Sequence, residues 1–143
     1  MMKTDLQLSL SVYKTINYLL EKGSLIEQIG LCFGLVSEEG RVIIQEFTEI
    51  ENTDASASSF SLDYTVLIRQ ISYYQQKGKS FVGLFHSHPL GHSLLPSKKD
   101  RHYMRYWPSP FVWLIGVFPQ IIAFGFSNNK VYQIPYTLIE ENS

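Results

Sequence analysis

Three of the four histidines of the chain fall within residues 86–92, in the stretch FHSHPLGHSLLPSKKDR. A single residue separates His86 from His88, and Asp100 follows His88 by twelve positions. Two imidazoles and one carboxylate are a donor set that can hold a divalent metal ion such as zinc. Three protein ligands leave a fourth tetrahedral position for water, which is typical of catalytic rather than structural zinc. We therefore predict a catalytic metal site in this stretch.

The neighbouring residues should place these ligands at the end of a strand and the start of a helix. SFVGLFHSH (80–88) has an apolar centre typical of a strand. Strand side chains alternate between faces, so His86 and His88 should point the same way. The loop GHSLLPS can then fold back toward them. In KKDRHYMRYW we predict a short helix with Ser97 as its N-cap.

The remaining sequence predicts a mixed α/β fold of about six or seven strands and two or three helices. LQLSL (6–10) alternates apolar and polar residues as a strand does. A helix is predicted over 11–22, with Gly23 as its C-terminal cap. IGLCFGLVS and RVIIQEFTEI flank a turn-like EEG break and predict a β-hairpin.

The second half of the chain predicts another helix and a group of final strands. After the polar loop NTDASASS, a helix is predicted over 62–77 from apolar residues at helical spacing. This apolar stripe consists of Tyr64, Leu67, Ile68, Ile71 and Tyr74. FVWLIGVF, IIAFGFS and VYQIPY predict three final strands, with Asn128-Asn129 as the turn between the last two.

Composition narrows the class of protein. With 143 residues, 45% hydrophobic and 17% charged, the chain is predicted to form one globular domain over 1–143. A net charge of −1 gives no electrostatic reason to expect nucleic acid or an anionic membrane as a partner. The apolar run at 111–118 is too short to cross a bilayer, and the N-terminus, with its early Asp5, does not resemble a signal peptide. The single cysteine, Cys32, excludes an internal disulfide, and we predict a reducing, cytoplasmic setting.

Together the motifs resemble the JAMM (MPN-plus, JAB) metalloproteases. The signature of that family is His-x-His-Pro, a short loop and Ser-x-x-Asp, matched here by HSHP (86–89) and SKKD (97–100). An upstream Glu-x-x-Gly-x-x-x-Gly is matched by EQIGLCFG (27–34). The loop LGHSLLP has seven residues, one more than is usual in the family. The resemblance covers nearly the whole chain and implies an α+β JAB/MPN domain, a cytidine-deaminase-like mixed β-sheet flanked by helices.

The resemblance also implies a role for each site residue. His86, His88 and Asp100 would bind one Zn²⁺ ion, which lowers the pKa of a bound water to about 7. Glu27 would be the general base that takes a proton from this water and passes it to the leaving amine. Ser97 would hydrogen-bond the oxyanion of the tetrahedral intermediate.

The implied function is a zinc metallopeptidase or isopeptidase of the stand-alone prokaryotic type. Substrates in this family are often ubiquitin-like proteins or their conjugates, cut after a C-terminal Gly-Gly. Two alternatives stay open: a small amidase that releases an amino acid from a carrier protein or metabolite, and a non-catalytic MPN scaffold. A zinc deaminase is excluded, because its Pro-Cys-x-x-Cys pattern needs two cysteines. Exposed edges of the final strands could support a homodimer.

Several other residues have plain structural interpretations. His92 is predicted to be an exposed loop residue and His102 a surface or packing residue, whereas Cys32 should be a small core side chain. One aromatic set is predicted to pack mostly in the core, with some members lining a binding face; it comprises Tyr73, Tyr74, Tyr103, Tyr106 and Trp107.

Overall fold

A computed structural model describes residues 5–56 and 59–140. Eight strands and three helices are present in these ranges. In chain order they are β1 Asp5–Ser9, α1 Leu10–Lys22, β2 Ile29–Val36, β3 Arg41–Ile50, α2 Tyr64–Gln75, β4 Ser80–Ser87, α3 Lys98–Met104, β5 Val112–Val117, β6 Gln120–Ser127, β7 Lys130–Ile134 and β8 Tyr136–Ile139. The predicted α+β class, a mixed sheet flanked by helices, is confirmed.

The strands form one mixed sheet in the order β7-β6-β5-β4-β2-β3-β1-β8. β2 lies at its centre, antiparallel to β3 on one side and to β4 on the other. This confirms the predicted hairpin and brings the start of β2 beside the end of β4, where Ile29 pairs with His86. The register therefore places the segment before β2 next to the two histidines.

Two apolar clusters cover the two faces of the sheet. One contains Val12, Ile16 and Leu20 of α1 together with Cys32, which is fully buried as predicted. The other contains Leu67 of α2 and Met104 of α3. The helices α2 and α3 thus share the face of the sheet that lies opposite α1.

The two glycines of EQIGLCFG are explained by close packing within β2 and β3. A Cβ atom at Gly30 would collide with the ring of Phe47, and one at Gly34 would collide with the carbonyl oxygen of Ile43. Glycine is the residue that permits such close approach in a strand interior.

Helix α2 lies within the predicted range, but its apolar stripe is narrower than predicted. Leu67 and Tyr74 are buried and Ile71 is partly buried, whereas Tyr64 is 74% and Ile68 64% exposed. Residues 67, 71 and 74 follow i, i+4, i+7 spacing and share the face toward the sheet. Tyr64 and Ile68 therefore lie at the edge of that face and stay in contact with solvent.

The three predicted final strands are present as β5, β6 and β7, but β7 ends before Pro135 and a fourth strand, β8, which was not predicted, begins after it. Proline has no backbone N–H to donate and so interrupts a strand ladder. β7 pairs with β6 at one edge of the sheet, and β8 pairs with β1 at the other. Since one residue joins the two edge strands, the sheet curls until its edges are neighbours.

The turn between β6 and β7 is the predicted one. Asn128 and Asn129 have φ values of 52° and 60°, the left-handed conformation that a type I′ hairpin turn requires. Within the described residues, no helix has the length and apolarity that crossing a membrane demands.

Candidate metal centre and active site

The three predicted ligands converge at the end of β4 and the start of α3. The Nε2 atoms of His86 and His88 each lie 3.1 Å from Oδ2 of Asp100. Ligand atoms of the three side chains lie within 4.8 Å of one another. The seven-residue loop therefore still brings Asp100 to the two histidines.

His86 is fully buried, and its environment fits a metal ligand. Its ring lies 4.8 Å from the ring of Phe60, centroid to centroid. Among the described residues its Nδ1 has no hydrogen-bond partner, and its Nε2 lies 3.1 Å from Asp100 Oδ2 without a hydrogen bond between them. A buried nitrogen without a partner is costly, and coordination of a cation would satisfy Nε2. The donor set of two imidazoles and a carboxylate, with this unpartnered nitrogen, fits zinc.

His88 is oriented by the loop that follows it. Its Nδ1 lies 2.6 Å from the carbonyl oxygen of Ser93. A carbonyl can only accept, so Nδ1 carries the hydrogen and Nε2 faces Asp100. Burial would lower the pKa of His88, but the hydrogen bonds to Asp100 and to the Ser93 carbonyl raise it overall.

Asp100 is held in place by the start of α3. Ser97 and Asp100 form a capping box, in which Asp100 Oδ2 accepts from the Ser97 N–H at 2.8 Å. Burial alone would raise the pKa of Asp100, but the two imidazoles and the Ser97 N–H hold it well below its usual range. Asp100 is thus an ionised carboxylate, the form that binds metal.

Glu27 lies just before β2 and is 4% exposed. Its Oε1 has no hydrogen-bond partner within the described part of the chain. Burial raises its pKa to about 7, an effect that His88 opposes and Asp100 reinforces. A carboxyl group with this pKa can both take and return a proton near neutral pH.

Ser97 shares a cleft with Glu27 and His88. Its Oγ accepts from the Asp100 N–H at 3.0 Å, which confirms the predicted N-cap. A hydroxyl that accepts one hydrogen bond still has its own hydrogen to donate. The cleft has a volume of about 290 Å³ and is lined by Glu27, His88, Pro89, His92, Ser93, Leu95, Pro96 and Ser97.

Two residues that position this site were missed in the sequence. The buried Asn52 donates through Nδ2 to the carbonyl oxygens of Glu27 and Ser59, each at 3.0 Å. Ser87 accepts from the Gln28 N–H at 2.8 Å through its Oγ. Asn52 lies in a stretch predicted as a polar loop, and Ser87 occupies the variable position of His-x-His, so neither spacing nor composition distinguished them.

The remaining predictions have mixed outcomes. His92 is exposed as predicted and lines the cleft, and His102 is an exposed residue of α3 that packs against tyrosine rings. Burial raises the pKa of the Cys32 thiol, which makes it unreactive as a nucleophile. The predicted burial of the aromatic set is wrong except for Tyr74: Tyr73, Tyr103, Tyr106 and Trp107 are between 39% and 70% exposed.

Comparisons with known proteins identify the family of the chain. Residues 9–126 match the family described as prokaryotic homologs of the JAB domain, and the chain belongs to that family. It is also 34% identical over 92 residues to a desampylase of Pyrococcus furiosus. The match covers 64% of this chain and 60% of the desampylase.

A solved structure supports the fold. The solution structure of a protein from Desulfitobacterium hafniense superimposes with a TM-score of 0.80 over 95% of this chain and 94% of that one. The two sequences are 23% identical, so the likeness concerns the fold alone.

Proposed function

We propose that this protein is a zinc-dependent metallopeptidase that hydrolyses a peptide or isopeptide bond after the C-terminal Gly-Gly of a ubiquitin-like protein. The observation that carries the proposal is the convergence of His86, His88 and Asp100 beside Glu27, whose pKa is raised to about 7, in an open cleft. Family membership and similarity to a desampylase support the same class of activity.

In this proposal His86, His88 and Asp100 would hold one zinc ion per chain. A bound zinc would supply Lewis acidity, which makes water a better nucleophile near neutral pH. His88 is pre-oriented for this task by the Ser93 carbonyl, and Asp100 by the capping box. Ligands that are already fixed lose little conformational entropy when the ion binds.

Glu27 would be the general base and then the general acid. Its carboxylate would take a proton from the attacking water and transfer it to the amine as the C–N bond breaks. A pKa of about 7 suits both steps, since the group is neither a very weak base nor a very weak acid at neutral pH. Ser97 would donate its hydroxyl hydrogen to the oxyanion that develops on the substrate carbonyl.

The Gly-Gly specificity rests on the shape of the cleft and on the relatives. The walls contributed by Pro89, Leu95 and Pro96 leave a cleft of about 290 Å³ beside Glu27 and His88. An extended Gly-Gly tail has no side chains that would collide with such walls. A desampylase among the relatives is in keeping with a ubiquitin-like modifier as substrate.

The proposal is tested with a ubiquitin-like protein fused through Gly-Gly to a reporter. We expect zinc-loaded wild type to cleave after Gly-Gly, and Asp100→Ala to lose both zinc and cleavage. Glu27→Gln should retain zinc but lose about 10²–10⁴-fold in rate, the range for general acid–base catalysis. Zinc content is measured by elemental analysis and cleavage by mass spectrometry.

The outcomes also separate the alternatives. Hydrolysis of small amino-acid amides but of no Gly-Gly fusion would favour the small amidase. Zinc binding without hydrolysis of either substrate would favour a scaffold. Absence of zinc from the wild type after loading would overturn the proposal.

A further inference from the structure

Helix α3 has an unusual concentration of positive charge. Four of the twelve Lys and Arg residues of the chain lie between positions 98 and 105, and all four are exposed. They are Lys98, Lys99, Arg101 and Arg105. The single acidic residue in this stretch, Asp100, is 4% exposed and faces the histidines. The outer surface of the helix therefore carries an excess of positive charge, although the charge of Lys99 also acts on the buried Glu27.

The stability of the helix explains only part of this charge, since the helix dipole favours Arg101 in the last turn but not the two lysines of the first. Lys98, Arg101 and Arg105 follow i, i+3, i+7 spacing and share one face, where like charges repel one another. Lys98 and Lys99 occupy the first turn, where the helix dipole disfavours cations. Among the described residues, none of the four forms an ion pair with a carboxylate.

An apolar pocket lies beside the same helix. It has a volume of about 90 Å³, and its wall includes Phe60, Tyr64, Tyr103 and Trp107. Tyr64, Tyr103 and Trp107 are 74%, 39% and 43% exposed. Cofactor pockets usually measure about 300–1,000 Å³, so this pocket is on the scale of a single apolar side chain.

The pocket adjoins the candidate metal centre. The ring of Phe60 lies 4.8 Å from that of His86 and 6.0 Å from that of Tyr103. Tyr103 is on α3, three residues after Asp100. One short helix thus contributes a site carboxylate, a wall of the pocket and a basic outer face.

We propose that the exposed basic residues of α3 and the aromatic pocket lined by Tyr103 of the same helix form a docking surface for an acidic segment of the ubiquitin-like modifier, with one bulky apolar side chain of that segment in the pocket. This inference rests on the proposed function. An enzyme that removes a modifier from different target proteins meets the modifier as the constant partner, so the modifier is the part that a fixed surface can recognise. Opposite charge would orient it, and the apolar side chain would anchor it.

The experiment measures binding of short fluorescein-labelled peptides that end in a free Gly-Gly and so leave no bond to cleave after it. One peptide carries Asp and Glu residues around a leucine, the second replaces them with Asn and Gln, and the third keeps the acids but replaces leucine with alanine. With zinc-loaded wild type, we expect the acidic leucine peptide to bind at least about tenfold more tightly than either other peptide at low salt. Its advantage over the neutral peptide should shrink as salt is added.

Variants then test where the peptide binds. Lys98→Glu/Arg101→Glu/Arg105→Glu should abolish the preference for the acidic peptide. The matched control Lys14→Glu/Lys22→Glu/Lys130→Glu makes the same change in net charge at exposed positions away from α3 and should keep the preference. Tyr64→Ala should weaken binding of the leucine peptide and leave the alanine peptide unchanged. Thermal melting verifies that each variant is folded.

Each outcome bears on one proposal or the other. Equal binding of acidic and neutral peptides, or an equal effect of both triple variants, would overturn the docking surface. Preferential binding of single-stranded oligothymidylate, lost in the α3 variant, would overturn it in favour of nucleic acid. The same acidic peptide joined to a leaving amine tests the proposed function separately: binding without cleavage overturns the peptidase and leaves the docking surface standing.

Discussion

Glu27 is a residue whose acidity is decided by its surroundings. Burial raises its pKa to about 7, while the charges of His88 and Lys99 oppose the increase and that of Asp100 adds to it. The carboxylate is therefore disfavoured in the folded protein, although an ordinary glutamate is fully ionised at neutral pH. The raised pKa of Glu27 therefore lowers the free energy of unfolding of the metal-free protein at neutral pH.

Glu27 should therefore make the free energy of unfolding depend on pH, and Glu27→Gln should remove this contribution. The pKa of Glu27 is higher in the folded protein than its ordinary value of 4.5. The stability that Glu27 contributes is therefore fully present below pH 4.5 and is lost as the pH rises through about 7. After chelation of metal, wild type and Glu27→Gln should be similar in stability near pH 4.5. At pH 8 the variant should be more stable by about 1–3 kcal/mol, with allowance for solvent screening.

Urea denaturation of both proteins at the two pH values checks this prediction. The comparison with Glu27→Gln isolates the carboxyl group, since the other titrating residues are common to both proteins. An equal stability difference at both pH values would contradict a raised pKa.

Ser97 has two tasks that substitutions can separate. Ser97→Gly should cost only a few tenths of a kcal/mol in helix capping, whereas Ser97→Ala should cost about 0.5–2 kcal/mol. Both remove the hydroxyl, so both should lower kcat by about 10²–10³-fold if Ser97 stabilises the oxyanion. Ser97→Thr should preserve both properties. Full activity in the folded glycine variant would show that Ser97 acts only as a cap.

At the scale of elements, the site depends on how β2 and β4 are joined to residues 52–56 and 59–61. Asn52 Nδ2 contacts the carbonyl oxygens of Glu27 and Ser59, and its Oδ1 accepts from the N–H groups of Asp54 and Ser61. Ser87 and Gln28 exchange two hydrogen bonds where β4 meets the start of β2. Glu27 is therefore positioned by contacts that its own neighbours in sequence do not provide.

Replacing Asn52 should disturb Glu27 without removing a metal ligand. Asn52→Leu leaves several backbone groups without partners, each worth about 1–3 kcal/mol where it is buried. We expect lower stability and lower kcat with zinc content retained. Asn17→Leu, on α1 at the opposite face of the sheet, is the matched control and should leave kcat unchanged. Loss of zinc in Asn52→Leu would show that the segment supports the ligands instead.

For the whole molecule, zinc should act as a link between β4 and α3, which are joined only by the loop at 88–97. His86 lies on β4, His88 follows it, and Asp100 lies on α3. Zinc at 100 times its Kd should stabilise the folded protein by about 2.7 kcal/mol, provided the unfolded chain does not bind it. The Tm of wild type should therefore rise with added zinc and fall after chelation.

The Asp100→Ala protein provides the control for this measurement. Its Tm should respond little to zinc, because one of the three ligands is missing. Equal responses of the two proteins would place the stabilising metal elsewhere.

The fold and site could be predicted wherever the signal was local. The spacing of His86, His88, Ser97 and Asp100 lies within fifteen residues, and side-chain alternation along one strand is enough to put the two histidines on one face. Helical periodicity and glycine or asparagine turns are local signals too, and they located α1, α2 and the turn at 128–129.

The sequence by itself therefore determined the ligand types, their spacing and most of the elements that carry them. Only the tertiary structure decided the burial that raises the pKa of Glu27, the contacts of Asn52 and Ser87, and the pairing of β8 with β1 at the edge opposite β7. The tertiary structure also determined that Tyr103 and Trp107 are exposed. Each of these depends on groups far apart in the chain, and periodicity carries information only about neighbours along one element.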